Sequence, residues 1–163
     1  DDDLPLPNTK TPAFLSASEQ SHDNQIVMMI SETIDNGIEY LGFSGGVPGA
    51  LTPSPRGVVI LSSLAHSGTD GIFDDEEIRI FGETMAHEAS HYMGLFHPQD
   101  SDGSVDIHGD TGSCESLAEC EGPEGDLLMF PYPICGLNGC VPQERITDDQ
   151  RQSLHRYVGV TGD

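Results

Sequence analysis

Apolar positions recur at helical spacing in two long stretches, and a third stretch carries a helix-start signal. From Asn24 to Leu41, the residues Ile26, Met29, Ile30, Ile34, Ile38 and Leu41 fall on one side and Gly42 follows, which predicts an amphipathic helix backing a sheet. From Asp74 to Gly94, the apolar residues Ile78, Phe81, Met85, Ala89 and Met93 share one side while His87 and His91 lie on the other. Asp74 with Glu77 three residues on marks the start of this second helix, and Gly94 marks its end. Thr147-Asp148-Asp149-Gln150 forms a capping box for a C-terminal helix reaching about Tyr157, with two acidic residues suited to the helix dipole.

Strand signals are fewer. Gly57 to Leu64 has the β-branched content of a buried strand, and Thr11 to Leu15 reads as a second, short one. The intervening Gly42 to Gly57 is rich in Gly and Pro and reads as a loop. Residues 1–22 are polar and Pro-containing, as in a linker or irregular segment; residues 23–163 have the size of one domain, with an upper lobe over about 23–97 and a lower lobe over about 98–163. The expected class is α+β: a small twisted mixed sheet, a backing helix, a long central helix and a C-terminal lobe that ends in a helix.

The central helix carries the chemistry. His87-Glu88-Ala89-Ser90-His91-Tyr92-Met93-Gly94-Leu95-Phe96-His97 matches H-E-x-x-H-x-x-G-x-x-H at every fixed position, and this composition would produce such a match by chance only about once in 10⁴ chains. His87 and His91 sit roughly 40° apart around the axis, so both rings reach one metal ion. Gly94 lets the chain reverse so that His97 returns as third ligand. Three protein ligands leave the open position of a catalytic Zn²⁺, and Glu88 beside them is the candidate general base.

At these residues the chain resembles the metzincin clan of zinc endopeptidases, and within it the pappalysin-like families; the resemblance covers about residues 57 to 158. It implies a metzincin-like zincin fold and a peptide or protein substrate. It also implies a Met in a tight turn beneath the metal, for which Met129 in Asp126-Leu127-Leu128-Met129-Phe130-Pro131 is the match. A transition-state Tyr usually follows two residues after that Met. Here Pro131 holds the place and Tyr132 comes one position late. Leu64 to Gly68 resembles the free edge strand that matrix metalloproteinases lay over their cleft, although His66 lacks partners for a second zinc and reads as a surface or packing residue. The resemblance further implies calcium after the third histidine, where Asp100, Asp102, Asp106 and Asp110 offer hard oxygen ligands. A solvated acidic loop is the alternative reading of those four.

Cysteines and charge complete the picture. Cys114, Cys120, Cys135 and Cys140 all follow the zinc motif, and their spacing does not match the short pairs of a structural Cys₄ zinc. Disulfides are therefore expected, with three connectivities open and the local pairing preferred. Disulfides imply an oxidising compartment, so the chain reads as a secreted or periplasmic protein, the mature part of a longer precursor. A net charge of -22, from 28 acidic against 6 basic residues, makes nucleic acid and anionic membranes poor partners and cationic peptides good ones. No apolar run approaches the length of a bilayer span.

Overall fold

The computed structural model describes residues 25–34, 40–49, 57–67 and 70–161, together with Ser16 and Glu19. The linker assigned to 1–22 and the strand expected at Thr11 to Leu15 lie outside the described residues, apart from those two single positions. The chain is a mixed α+β protein. Among the described residues a three-stranded sheet is built from β1 (Val27–Ser31), β2 (Gly42–Ser44) and β3 (Val58–Ser62), in the order β1-β3-β2. β3 pairs parallel with β1 and antiparallel with β2. Four helices follow: α1 (Ser63–His66), α2 (Asp75–Tyr92), α3 (Leu117–Glu124) and α4 (Asp148–Thr161), with a two-stranded ribbon, β4 (Cys135–Gly136) and β5 (Gly139–Cys140), before the last. No described helix is long and apolar enough to cross a membrane.

β3 is buried at all five positions, as its unbroken apolar run requires of a central strand with neighbours on both edges. Val58 and Ile60 form the core with Ile34, and Val27, Met29, Tyr40 and Phe43 pack against it. The helix expected from Asn24 to Leu41, whose positions 24 and 35–39 lie outside the described residues, is not formed over the described residues 25–34, where Val27 to Ser31 is a strand. Its inner residues Val27 and Met29 alternate with Met28 and Ile30, the latter 64% exposed, so the chain follows a period of two. Spacings of three and four fitted the same apolar residues, and pairing with the buried β3 decides between them. The loop expected from Gly42 to Gly57 is corrected at its start, where Gly42 to Ser44 joins the sheet opposite Leu61, Ile60 and Val59. The edge strand expected from Leu64 to Gly68 is corrected too. Ser62 Oγ accepts from Ala65 N–H and caps a single helical turn there.

Both ends of α2 are built as the sequence signals require. Asp74 and Glu77 form a complete capping box. At the other end Gly94, at φ +101°, donates to His91 O while Leu95 N–H donates to Ser90 O, the paired bonds of a Schellman motif. The buried face of α2 departs from expectation: its buried residues are Thr84, Glu88, Ser90, His91 and Tyr92, whereas Ile78 is 56% exposed. The polar face is turned inward because β2 and the turn around Met129 pack on it. The capping box of the last helix is present, with Gln150 N–H donating to Thr147 Oγ1 and Thr147 N–H to Gln150 Oε1.

The four cysteines form two local disulfides, Cys114–Cys120 and Cys135–Cys140, and no described cysteine is free. The second closes the β4–β5 ribbon. That ribbon docks on the first turns of α2, where Glu76 accepts from Cys140 N–H and Arg79 donates to Cys140 O.

The strand assignment predicts opposite behaviour for two isoleucines. Ile60→Ala should destabilise the protein by about 2–5 kcal/mol and Ile30→Ala by less than about 0.5 kcal/mol in urea unfolding. Equal losses would contradict the placement of β1 and β3.

Candidate metal centre

His87, His91 and His97 are the group of metal-ligand side chains that meets among the described residues, with their ligand atoms all within 4.8 Å of one another. His87 and His91 come from successive turns of α2, and the Schellman turn at Gly94 brings His97 back to them. Each ring is held at Nδ1. His87 Nδ1 lies 2.7 Å from the Leu128 carbonyl, His91 Nδ1 2.6 Å from the Leu95 carbonyl, and His97 Nδ1 2.6 Å from Asp100 Oδ1. Carbonyls and carboxylates have no hydrogen to give, so Nδ1 must be the donor in all three. The Nε2 atoms then face one another, with His97 Nε2 at 3.1 Å from His87 Nε2 and 3.0 Å from His91 Nε2, and in the neutral form each would present a lone pair to the others.

Three lone pairs at that separation repel unless a cation lies among them. A tetrahedral ion with Zn–N bonds of about 2.0–2.1 Å needs nitrogens roughly 3.3 Å apart, close to what the rings offer. The donor set therefore fits a metal. Proton uptake is disfavoured here: burial first, and neighbouring imidazoles second, hold His87 well below the ordinary histidine range and push His91 down to about 3. Neutral rings are the form that ligates.

The acceptors have supports of their own. Leu128 sits in a tight turn closed by Phe130 N–H to Leu127 O, and its N–H donates to Arg145 O. Arg145 also pairs through two nitrogens with the Asp126 carboxylate, which holds Asp126 below the usual range. Met129, next in that turn, is fully buried.

Glu88 is 7% exposed and lies against the sheet. Burial pushes its carboxyl up to about 8, opposed by a hydrogen bond from the Ser44 backbone. β2 comes so near that a Cβ on Gly42 would lie 2.6 Å from Glu88 Cγ and 2.8 Å from Thr84 Cγ2. Residue 42 must therefore lack a side chain. Because Leu41 and Gly45 bond to β3, Gly42 and Ser44 turn their backbone groups to the outer edge, where Glu88 lies.

The remaining expected site residues have other partners. Tyr132 Oη donates to Glu121 and its ring packs on Phe130. The four aspartates do not converge. Asp100 serves His97, Asp102 caps a turn by accepting from Ser104, Asp106 accepts from Thr111 and His108, and Asp110 accepts from Asp149 N–H at the start of α4. His66 is a packing residue, as expected, bonded to Ser62 O and Thr84 Oγ1 and edge-on to Phe81. Sequence reasoning missed Gly42, Ser44 and the two carbonyls; a backbone acceptor leaves no mark in a sequence, and only a Gly before Phe43 hinted at close approach. No family model and no curated protein matches the chain.

Gly42→Ala should cost about 1–3 kcal/mol by overpacking against Glu88. Gly82→Ala, in mid-helix with open space at its Cβ, should instead stabilise by about 0.5–1 kcal/mol. Thermal unfolding of the two variants reads the difference, and a harmless Gly42→Ala would refute the close approach of β2.

Proposed function

We propose that the chain is a secreted zinc endopeptidase of metzincin type. The meeting of three imidazole nitrogens, with His87 Nε2 and His91 Nε2 each about 3 Å from His97 Nε2 and Glu88 beside the first histidine, carries this reading. A three-imidazole set with an open fourth position suits Zn²⁺ better than harder ions. When bound, zinc would supply Lewis acidity, polarising a peptide carbonyl and making water acidic enough to lose a proton near neutral pH.

The chain's own groups do the rest. Glu88 accepts a proton from the attacking water and returns it to the leaving amine, so its carboxylate must alternate between charged and neutral forms. A nearby dication favours the charged form that burial alone opposes. The Ser44 N–H keeps the carboxylate oriented. The outer edge of β2 can pair with an extended peptide and bring its backbone to Glu88, a mode that reads main chain more than side chains. This edge takes the part that the resemblance assigned to Leu64 to Gly68. Met129 supports the site from its buried turn, while the hydroxyl of Tyr132 is held by Glu121, so no transition-state contact is assigned to it.

A non-catalytic zinc module is the rival. It has no use for a buried carboxylate at the outer edge of a strand, and a closed structural site would need a fourth protein ligand. Two disulfides are compatible with a secreted protein. The net charge of -22 favours cationic substrates.

The purified protein should hold one zinc per chain. Glu88→Ala should keep the metal and lose turnover by at least ~10²-fold, whereas His91→Ala should lose the metal. Digestion of a peptide library with and without a chelator, read by mass spectrometry, checks the activity; chelator-insensitive cleavage, or full activity in Glu88→Ala, would overturn the reading. Cleavage should be favoured beside Arg or Lys at low salt, and that bias should fade at 1 M salt, where the Debye length is about 3 Å.

A further inference from the structure

The three histidines are not anchored alike. His87 and His91 stand on α2, one turn apart, and the helix fixes their backbone while an uncharged carbonyl receives each Nδ1–H. His97 stands outside the helix, and its ring alone ends on a carboxylate. We propose that Asp100 is a positioning residue for the metal: it holds the His97 ring with Nε2 bare and aimed at the other two, and its charge makes His97 the strongest donor of the set. This rests on the zinc reading of the site.

Two physical arguments favour a carboxylate here. A hydrogen bond to a charged acceptor is roughly twice as strong as a neutral one, which compensates for a ligand whose backbone no helix restrains. A carboxylate on the far nitrogen also raises the basicity of the near one and fixes its tautomer. A carbonyl fixes the tautomer but lends less charge.

Asp100 is itself held in place, so little ordering remains to be done when metal binds. Its N–H donates to Ser104 O at 2.8 Å and its carbonyl accepts from Gly103 N–H at 3.0 Å, closing a turn that Asp102 caps by accepting from Ser104 N–H. Gln99 and Val105 bridge across the base of that turn, and Asp106 N–H donates to Pro98 O. The side chain of Gln99, 3% exposed, bonds twice to the Cys114 backbone, as donor to its carbonyl at 3.2 Å and acceptor from its N–H at 2.9 Å. Cys114 is bonded in turn to Cys120. A continuous set of contacts thus runs from the first disulfide through Gln99 to Asp100 and His97.

The test measures zinc affinity by competition with a chromophoric chelator for the wild type, Asp100→Asn and Asp100→Ala, with thermal unfolding of each metal-free protein alongside. Asparagine keeps an acceptor and removes the charge; alanine removes both. Asp100→Ala should weaken zinc binding by about 10–100-fold and Asp100→Asn by a smaller factor, near 10-fold, with little change in metal-free unfolding. The visible spectrum of the Co²⁺-substituted protein should shift in both variants, because the field at one ligand has changed. Affinities within twofold of the wild type would overturn the role of Asp100 and leave the protease reading intact. Weakening that matches a loss of metal-free stability would also overturn it, since the aspartate would then be only a loop-stabilising residue. A wild type that binds no zinc would overturn this inference and the zinc reading together.

Discussion

An imidazole can ligate a metal with one nitrogen only if the other nitrogen has something to hold its proton, and most of the described chain around the site serves that constraint. The three acceptors come from three different places: the turn at Leu128, the reversal at Leu95 and the hairpin at Asp100. Each place is fixed by contacts of its own. Arg145 steadies the first, the Schellman bonds the second, and Gln99 with a disulfide the third. Each second nitrogen is oriented by its own stretch of chain, so the geometry of the cluster depends on the residues that follow α2 as much as on the helix that bears two of the histidines.

A second constraint follows from turning the polar face of a helix toward a sheet. Burying Glu88 costs free energy that an apolar residue would not cost. β2 offsets part of this with the Ser44 N–H, and it can approach only because Gly42 has no side chain. The apolar stripe of α2 is correspondingly less buried than its sequence suggests, with Phe81 meeting His66 and Phe73 at its edge. In this helix the better-covered face is the one with the reactive groups.

What could be read from the sequence, and what could not, divides along the range of the interactions. The helix caps at Asp74, Gly94 and Thr147 were legible because each is a contact within a few residues, and so was the triad of histidines, whose spacing is itself the geometry. The strand β1 was not, since Ile26 to Ile34 satisfies both helical and alternating periods and only pairing with β3, some thirty residues on, selects one. β2 was hidden in a stretch rich in Gly and Pro for the same reason. Asp100 is visible in the sequence as an acidic residue after the third histidine, but there it is indistinguishable from the three other aspartates that suggest calcium. Its partner is a ring nitrogen three residues back, and composition carries no information on which way a carboxylate turns.

The two caps of α2 also limit how this chain can vary. Eighteen residues lie between fixed ends, one pinned by the Asp74–Glu77 box and the other by the turn at Gly94. Each residue added or removed between them turns everything beyond it by about 100° and moves it about 1.5 Å along the axis. A single insertion near Gly82 would either carry the ribbon contacts of Glu76 and Arg79 away from Cys140 or swing His87 away from the Leu128 carbonyl and Glu88 away from β2. The length of this helix is thus a conserved quantity of the architecture in the mechanical sense: side chains along its exposed face can change freely, but their number cannot.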